Sequence, residues 1–312
     1  MNYAEQNRRI MAAVAALILL GLCAASRLAA QMPTRSDPKT FTLGLVSEIN
    51  QKEIERHFQP LVRYVAGKLS PGSKIEGRVV VAATPSRLAS LLTQRNADFY
   101  MESAQPTYMI NDVYGAGKLL LRRWKGGMGD YKALIFAAKN GAARSIEDLK
   151  GKLIAFEDPG STSGYFLPKL FLEKKGFKLQ ESRIGGNVRA DEIGYVFARS
   201  QDKLIELVLT GKVAAGAFSS DDFAGLEAGK KAAVAILAET ASLPRHLLSV
   251  RKDLSSDRVR SLEKTLLSMH ENPEGRTILQ KADGTTKFDP LPGGEVAMRQ
   301  RLLETFYSPG KK

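Results

Sequence analysis

From Phe41 onward the chain alternates short apolar runs with amphipathic segments, and this alternation constrains the fold more than any other feature of the sequence. Phe41-Thr42-Leu43-Gly44-Leu45-Val46 reads as a strand. Ile54, Phe58, Leu61, Val62, Val65 and Leu69 then fall on one stripe of a helix. Pro71-Gly72 ends that segment, and Val79-Val80-Val81-Ala82 reads as a buried strand. Leu88, Leu91 and Leu92 mark another helix. Further strands are expected at Asp98-Phe99-Tyr100-Met101, Leu119-Leu120-Leu121, residues 132–137, Leu153-Ile154-Ala155-Phe156, and residues 214–218, 234–237 and 247–250. Helices are expected near residue 146, over residues 203–209, and where Val259, Leu262, Leu266 and Met269 form a late stripe. Strands alternating with helices imply an α/β protein with mostly parallel sheets, and this many elements fit two lobes better than one sheet.

Composition narrows the function. The formal charge is +13 over 312 residues, and +11 once Arg8, Arg9, Arg27 and Glu5 of the N-terminal segment are set aside. A positive surplus favours anionic partners. Nucleic-acid binders cluster basic residues with interleaved aromatics. Here Lys and Arg are scattered singly and in pairs, such as Arg122-Arg123 and Lys230-Lys231, so a nucleic-acid partner is not expected. The single cysteine, Cys23, lies in the N-terminal apolar run, which leaves the body without disulfides, cysteine nucleophiles or Cys-type zinc ligands. No metal or cofactor motif is present, and three widely separated histidines offer no nucleophilic triad. An enzyme is therefore not expected.

Arg8-Arg9 precede an apolar run over residues 10–25, and Ala24-Ala25 and Ala29-Ala30 supply two small-residue cleavage sites. This pattern predicts a signal peptide over residues 1–30, hence export to the periplasm or another extracytoplasmic space. The alternative is an uncleaved anchor, the one way this chain would engage a membrane.

The stretch most informative about chemistry is Glu157-Asp158-Pro159-Gly160-Ser161-Thr162-Ser163-Gly164-Tyr165, between a buried strand and a helix. The first turn of a helix leaves backbone N–H groups unpaired, and strand ends feeding helices are where α/β proteins bind anions. Ser161, Thr162 and Ser163 add hydroxyl donors there, a neutral cradle for a tetrahedral oxyanion. The plainer reading is a helix cap at Ser161 with two solvated neighbours.

The run Asp148-Leu149-Lys150-Gly151-Lys152, then Ala155-Phe156, then Asp158 to Tyr165 and Pro168, resembles the phosphate/phosphite/phosphonate-binding proteins of ABC importers. Ala97-Asp98-Phe99, Tyr131 and Leu207-Val208-Leu209-Thr210-Gly211-Lys212-Val213 fall in order around it, so the likeness spans residues 41–290. It implies a type II periplasmic-binding fold, two α/β lobes joined by a two-crossover hinge. Lobe 1 would comprise residues 39–131 plus 246–312, and lobe 2 residues 132–245. It also implies a small oxyanion ligand and an ABC permease as partner; a periplasmic sensor component, or an enzyme on the same fold, is the alternative.

By the same resemblance the ligand contacts are Tyr131, Ser161, Thr162, Ser163, Gln201 (where the family has a histidine), Asp221 (or Asp222), Arg245 and His246. His246 stands where amine-binding members carry an acid, which favours an oxyanion without an ammonium group. A partly protonated His246 would make affinity fall as pH rises through the histidine range. The bland alternatives are that Tyr131 and Trp124 pack at the junction, that Asp221 caps a helix, and that Glu102 is solvated or salt-bridged.

Overall fold

The computed structural model describes residues 39–69 and 74–307. The expected signal segment, residues 1–30, lies outside them. In chain order the strands are β1 (Thr40–Val46), β2 (Glu76–Ala82), β3 (Phe99–Glu102), β4 (Gly117–Lys125), β5 (Asp130–Tyr131), β6 (Ala133–Ala138), β7 (Leu153–Phe156), β8 (Lys178–Glu181), β9 (Glu192–Phe197), β10 (Ala215–Ser219), β11 (Val234–Glu239), β12 (Leu243–Pro244), β13 (His246–Arg251) and β14 (Thr285–Pro290). They form one six-stranded sheet of order β14-β4-β13-β3-β1-β2 and a second of order β11-β6-β10-β7-β9-β8. Among the described residues β5 pairs only with β12, antiparallel, with Leu243 opposite Tyr131 and Pro244 opposite Asp130. The chain therefore leaves the first sheet at β5 and returns to it after β12, and these paired segments are the hinge.

The expectation of mostly parallel sheets is corrected. β1, β2 and β3 run parallel, as do β7, β8, β9 and β10. β13 is antiparallel to both β3 and β4, and β6 to both β10 and β11. β6 and β13 are the strands that enter each sheet directly from the hinge. They run against the strands already there, because the hinge lies at the end where those parallel strands finish.

Each sheet is covered on both faces. The helix Gln51–Leu69 buries Phe58, Leu61, Val62, Val65 and Ala66, spaced three and four apart, against the first sheet. Each large apolar side chain so buried contributes about 1.5–3 kcal/mol. The helix lies close on β2: a Cβ at Gly77 would meet the carbonyl oxygen of Val62 at 2.5 Å, so only glycine fits there. Leu88, Ala89 and Leu92 of the helix Pro85–Thr93 cover the opposite face. In the second sheet Leu204, Leu207 and Val208 cover one face, and Leu149, Leu172 and Phe177 the other. A separate cluster lies at the hinge, where Tyr131, Ala133, Leu167, Leu243 and Leu247 pack with Met298 and Leu302 of the helix Gly294–Phe306. That helix is not among the elements expected from the sequence, nor are β8, β9 and β14.

Candidate functional site

The two sheets place comparable strand ends on the same side. In the first sheet β2 runs into Thr84, which caps Pro85–Thr93, and β3 runs into Ser103 at the start of the helix Ala104–Tyr108. In the second, β7 runs into the serine-rich loop, β9 into Ser200 at the cap of Gln201–Leu209, and β10 into Ser219 at the cap of Ser220–Gly225. Ligands of open α/β sheets bind outside the carboxyl ends of the strands. Here two such rims meet beside the hinge.

In the serine loop, Asp158 closes a tight turn by accepting from the Gly160 and Ser161 amides, the first through its side chain and the second through its carbonyl. Ser161 is the cap of the π-type turn Thr162–Phe166. Its hydroxyl accepts from Gly164 N at 3.0 Å and donates to Glu157 Oε2 at 3.0 Å, so its proton is spent inside the loop. Gly164 is required: a Cβ there would meet Glu157 Oε2 at 2.6 Å and Ser161 Oγ at 2.8 Å. Burial pushes the Glu157 carboxyl up, with Asp222 and Asp158 adding to the shift against the opposing Ser161 bond.

Thr162 and Ser163 are 2% and 6% exposed. Thr162 reaches the opposite lobe, with its Oγ1 2.9 Å from Ser103 Oγ and accepting from Gln105 N at 3.2 Å. Tyr131, 2% exposed, holds its hydroxyl beside those of Thr162 and Ser163, without a well-formed hydrogen bond among the described residues. Burial pushes its pKa up to about 12, so at neutral pH it keeps its proton and can donate.

On the hinge side of Tyr131 stands a charged corner. Arg245 Nε donates to Asp221 Oδ2 at 2.6 Å, each side chain being 14% exposed. The Arg245 guanidinium lies over the Tyr131 ring, 4.8 Å from its centroid. Because Nε makes the bond to Asp221, the two terminal amino groups are not committed to it. Asp221 does not cap the helix Ser220–Gly225. Ser219 is the cap, and Asp222 completes a reciprocal box with it. Asp221 Oδ1 is buried without a partner among the described residues.

His246 opens β13, opposite Arg123 on β4. Its Nδ1 is buried and unpartnered among the described residues. Burial, with Arg123, Arg245 and Lys125 nearby, holds its pKa well below 6.5. The expectation of a partly protonated His246 is therefore corrected: three neighbouring cations and loss of water keep the imidazole neutral at pH 7. Gln201, first in its helix, reaches Asp222 O at 3.5 Å, next to the Asp221 that pairs with Arg245.

Two first-lobe residues extend the rim. Ser103, not singled out from the sequence, carries the same signal as Ser161, a hydroxyl residue between a buried strand and a helix. Glu102 precedes it and accepts from Val46 N at 2.6 Å, and burial pushes its carboxyl up to about 8. Trp124 is a packing residue, with Arg122 and Lys287 over its ring at 5.1 and 4.1 Å. Among the described residues no cluster of His, Cys, Asp or Glu could hold a metal ion, and no helix is long and apolar enough to cross a membrane.

Two α/β lobes on a double crossing, with polar strand ends meeting beside the hinge, define a type II periplasmic-binding protein. More particularly, the chain belongs to the periplasmic substrate-binding proteins of phosphonate ABC transporters, whose family model matches residues 43–292. It is 26% identical over 182 residues to the phosphate-import protein PhnD of Mycolicibacterium smegmatis; the match covers 56% of this chain and only about half, 54%, of that relative. Among solved structures it is similar to XAC2383 of Xanthomonas citri bound to chloride ion, with a TM-score of 0.77 and 24% identity, covering 86% of this chain and 96% of that one. It is also similar to PhnD1 of Prochlorococcus marinus in complex with methylphosphonate, with a TM-score of 0.60 and 16% identity, covering 86% and 98%. Both likenesses bear on the fold.

Proposed function

We propose that this protein captures a phosphate-, phosphite- or phosphonate-type oxyanion between its lobes, outside the cytoplasm, and delivers it to an ABC permease. The observation that carries this reading is the buried Tyr131 hydroxyl, which retains its proton and lacks a partner among the described residues, between the Thr162–Ser163 hydroxyls and the Arg245 guanidinium. Neutral donors beside one cation match a tetrahedral anion, and each hydrogen bond to such an anion contributes about 1.5–3 kcal/mol. Asp221 is paired with Arg245 through Oδ2, so most of its charge is balanced before any ligand ammonium group could meet its open Oδ1. This supports a ligand without an amine.

In this reading residues 39–131 with 246–312 form one moving body and residues 132–245 the other, turning about the β5–β12 pair. Family membership supports the import role, with the permease as partner. Residues 1–30 would be the export signal, removed from the mature protein.

A thermal-shift screen of the purified protein against phosphate, phosphite, methylphosphonate, 2-aminoethylphosphonate, sulfate and ATP tests the reading. ATP is included because XAC2383 has also been solved bound to it. A ligand bound only by the folded state raises the melting temperature. The expected result is a rise with one or more amine-free phosphorus oxyanions. No shift with any of these oxyanions at millimolar concentration would remove the assignment.

A further inference from the structure

The hydroxyl of Thr162 has more neighbours than a simple ligand donor needs. Its Oγ1 accepts the backbone N–H of Gln105 at 3.2 Å and lies 2.9 Å from Ser103 Oγ. Ser103 and Gln105 belong to the first lobe and Thr162 to the second. These hydrogen bonds therefore tie the lobes together through residues outside the β5–β12 pair. Thr162 is 2% exposed, and the Tyr131 hydroxyl stands beside it.

Counting protons limits what Thr162 can do. A threonine hydroxyl has one proton to give and two lone pairs to fill. The Gln105 N–H takes one lone pair. If Thr162 gives its proton to Ser103, it has none for a ligand. If Ser103 donates instead, both lone pairs are filled and the Thr162 proton must go elsewhere. The acceptor that would select this second arrangement is an anion oxygen in the cleft. Each bond in such a chain polarises the next.

We propose that Ser103 is a positioning residue for oxyanion binding: on closure Ser103 O–H and Gln105 N–H both donate to Thr162 Oγ1, which makes Thr162 a committed donor to the ligand. Lobe closure and donation to the anion are then one event. Ser103 acts through Thr162 and does not touch the oxyanion. The inference rests on the oxyanion reading above and adds the route by which the first lobe senses the ligand.

The test is a double-mutant cycle on the full chain with Ser103→Ala, Thr162→Val and the double variant, titrated calorimetrically with whichever of inorganic phosphate and methylphosphonate the wild type binds more tightly. Thr162→Ser is the conservative control. Ser103→Ala is expected to weaken binding about 3–10-fold and Thr162→Val about 10–30-fold, with Thr162→Ser close to wild type. In the Thr162→Val background, adding Ser103→Ala should change affinity less than two-fold. A merely structural role for Ser103 would lower the ligand-free melting temperature and weaken binding in both backgrounds. Direct contact of Ser103 with the ligand would leave the two losses multiplicative. Either result overturns the proposal, as does a Ser103→Ala variant of wild-type affinity. A wild type that binds neither ligand fails the oxyanion reading itself, and the proposal with it. A wild type that binds while the cycle is multiplicative fails the relay alone.

Discussion

The cleft has two differently made sides, and both lean on Tyr131. On one side, residues 161–163 offer hydroxyls without a formal charge, held by a buried turn. On the other, Asp221 and Arg245 carry opposite charges 2.6 Å apart, with a neutral His246 next in the chain. The first side acts by geometry: Thr162 is aimed by the bonds it already makes to the opposite lobe, and Ser161 holds the loop from within. The second acts by charge, but most of that charge is balanced within the protein. On the proposed reading, holding an anion then depends on directed donors and on the part of the Arg245 guanidinium that Asp221 does not use.

The largest effect is expected on the charged side. Arg245→Met removes the cation over Tyr131 and leaves Asp221 buried and uncompensated. Breaking a buried pair in this way costs about 3–5 kcal/mol, so the melting temperature should fall by many degrees and oxyanion binding by 100-fold or more. Arg245→Met with Asp221→Leu should recover most of the stability and none of the binding. Recovery of binding in the double variant would show that Arg245 acts only by neutralising Asp221.

Within the neutral side, neighbouring hydroxyls should behave differently. Thr162→Val is expected to lower affinity about ten-fold or more with a small change in melting temperature. Ser161→Ala removes a cap, worth about 1 kcal/mol of stability, and should change affinity less than three-fold because its proton already goes to Glu157. Calorimetry and thermal melts on the two variants separate these. A Ser161→Ala loss equal to that of Thr162→Val would place Ser161 against the ligand.

This difference is not legible in the sequence. The Ser-Thr-Ser-Gly run raises the expectation of an anion cradle, and the strand before it fixes where the loop sits. Which hydroxyl faces inward depends on Glu157, Gly164 and the first-lobe pair Ser103 and Gln105. Asp221 and Asp222 pose the same problem: either could be the acid at the site, and the box between Ser219 and Asp222 leaves Asp221 for Arg245. The protonation of His246 is hidden for a related reason. Two of its charged neighbours, Arg123 and Lys125, lie more than a hundred residues away in the chain, and register across β4 and β13 brings Arg123 opposite it. The alternation of strands and helices is legible; β8 and β14 are not, because both are short and polar-rich, with Lys178, Gln180 and Glu181 in one and Thr285, Thr286, Lys287 and Asp289 in the other.

A smaller effect concerns pH. Glu102 has its pKa raised from an ordinary 4.5 to about 8, so the folded state holds its proton more tightly than the unfolded chain does. Its contribution to stability is full below about pH 4.5 and is lost as pH rises through about 8. Glu102→Gln keeps an acceptor for Val46 N and removes that loss. The variant should gain about 1 kcal/mol or more over wild type at pH 8.5 compared with pH 5, since a tenfold change in proton affinity corresponds to about 1.4 kcal/mol. Denaturant melts at the two pH values read this directly, and an equal difference at both would mean that Glu102 titrates normally.

The smallest effect is an expected flatness. With His246 held neutral, its titration should contribute less than two-fold to the change in ligand affinity between pH 6.5 and 8, judged from wild type against His246→Gln with sulfate or methylphosphonate, whichever binds. As a group with depressed pKa, His246 lowers stability only as pH falls below about 6.5, the ordinary value of the free side chain. A pH dependence of affinity that disappears in His246→Gln would restore a protonated imidazole to the site.

The central claim is that this cleft binds a phosphorus oxyanion through hydroxyl donors and one paired arginine. The most direct measurement is calorimetric titration of the purified chain with phosphate, phosphite and methylphosphonate beside 2-aminoethylphosphonate, in wild type and Arg245→Met. The account predicts saturable one-to-one binding of an amine-free oxyanion, tighter than that of the aminated phosphonate, and its loss in Arg245→Met. Tightest binding of 2-aminoethylphosphonate, or oxyanion binding that survives Arg245→Met unchanged, would contradict it.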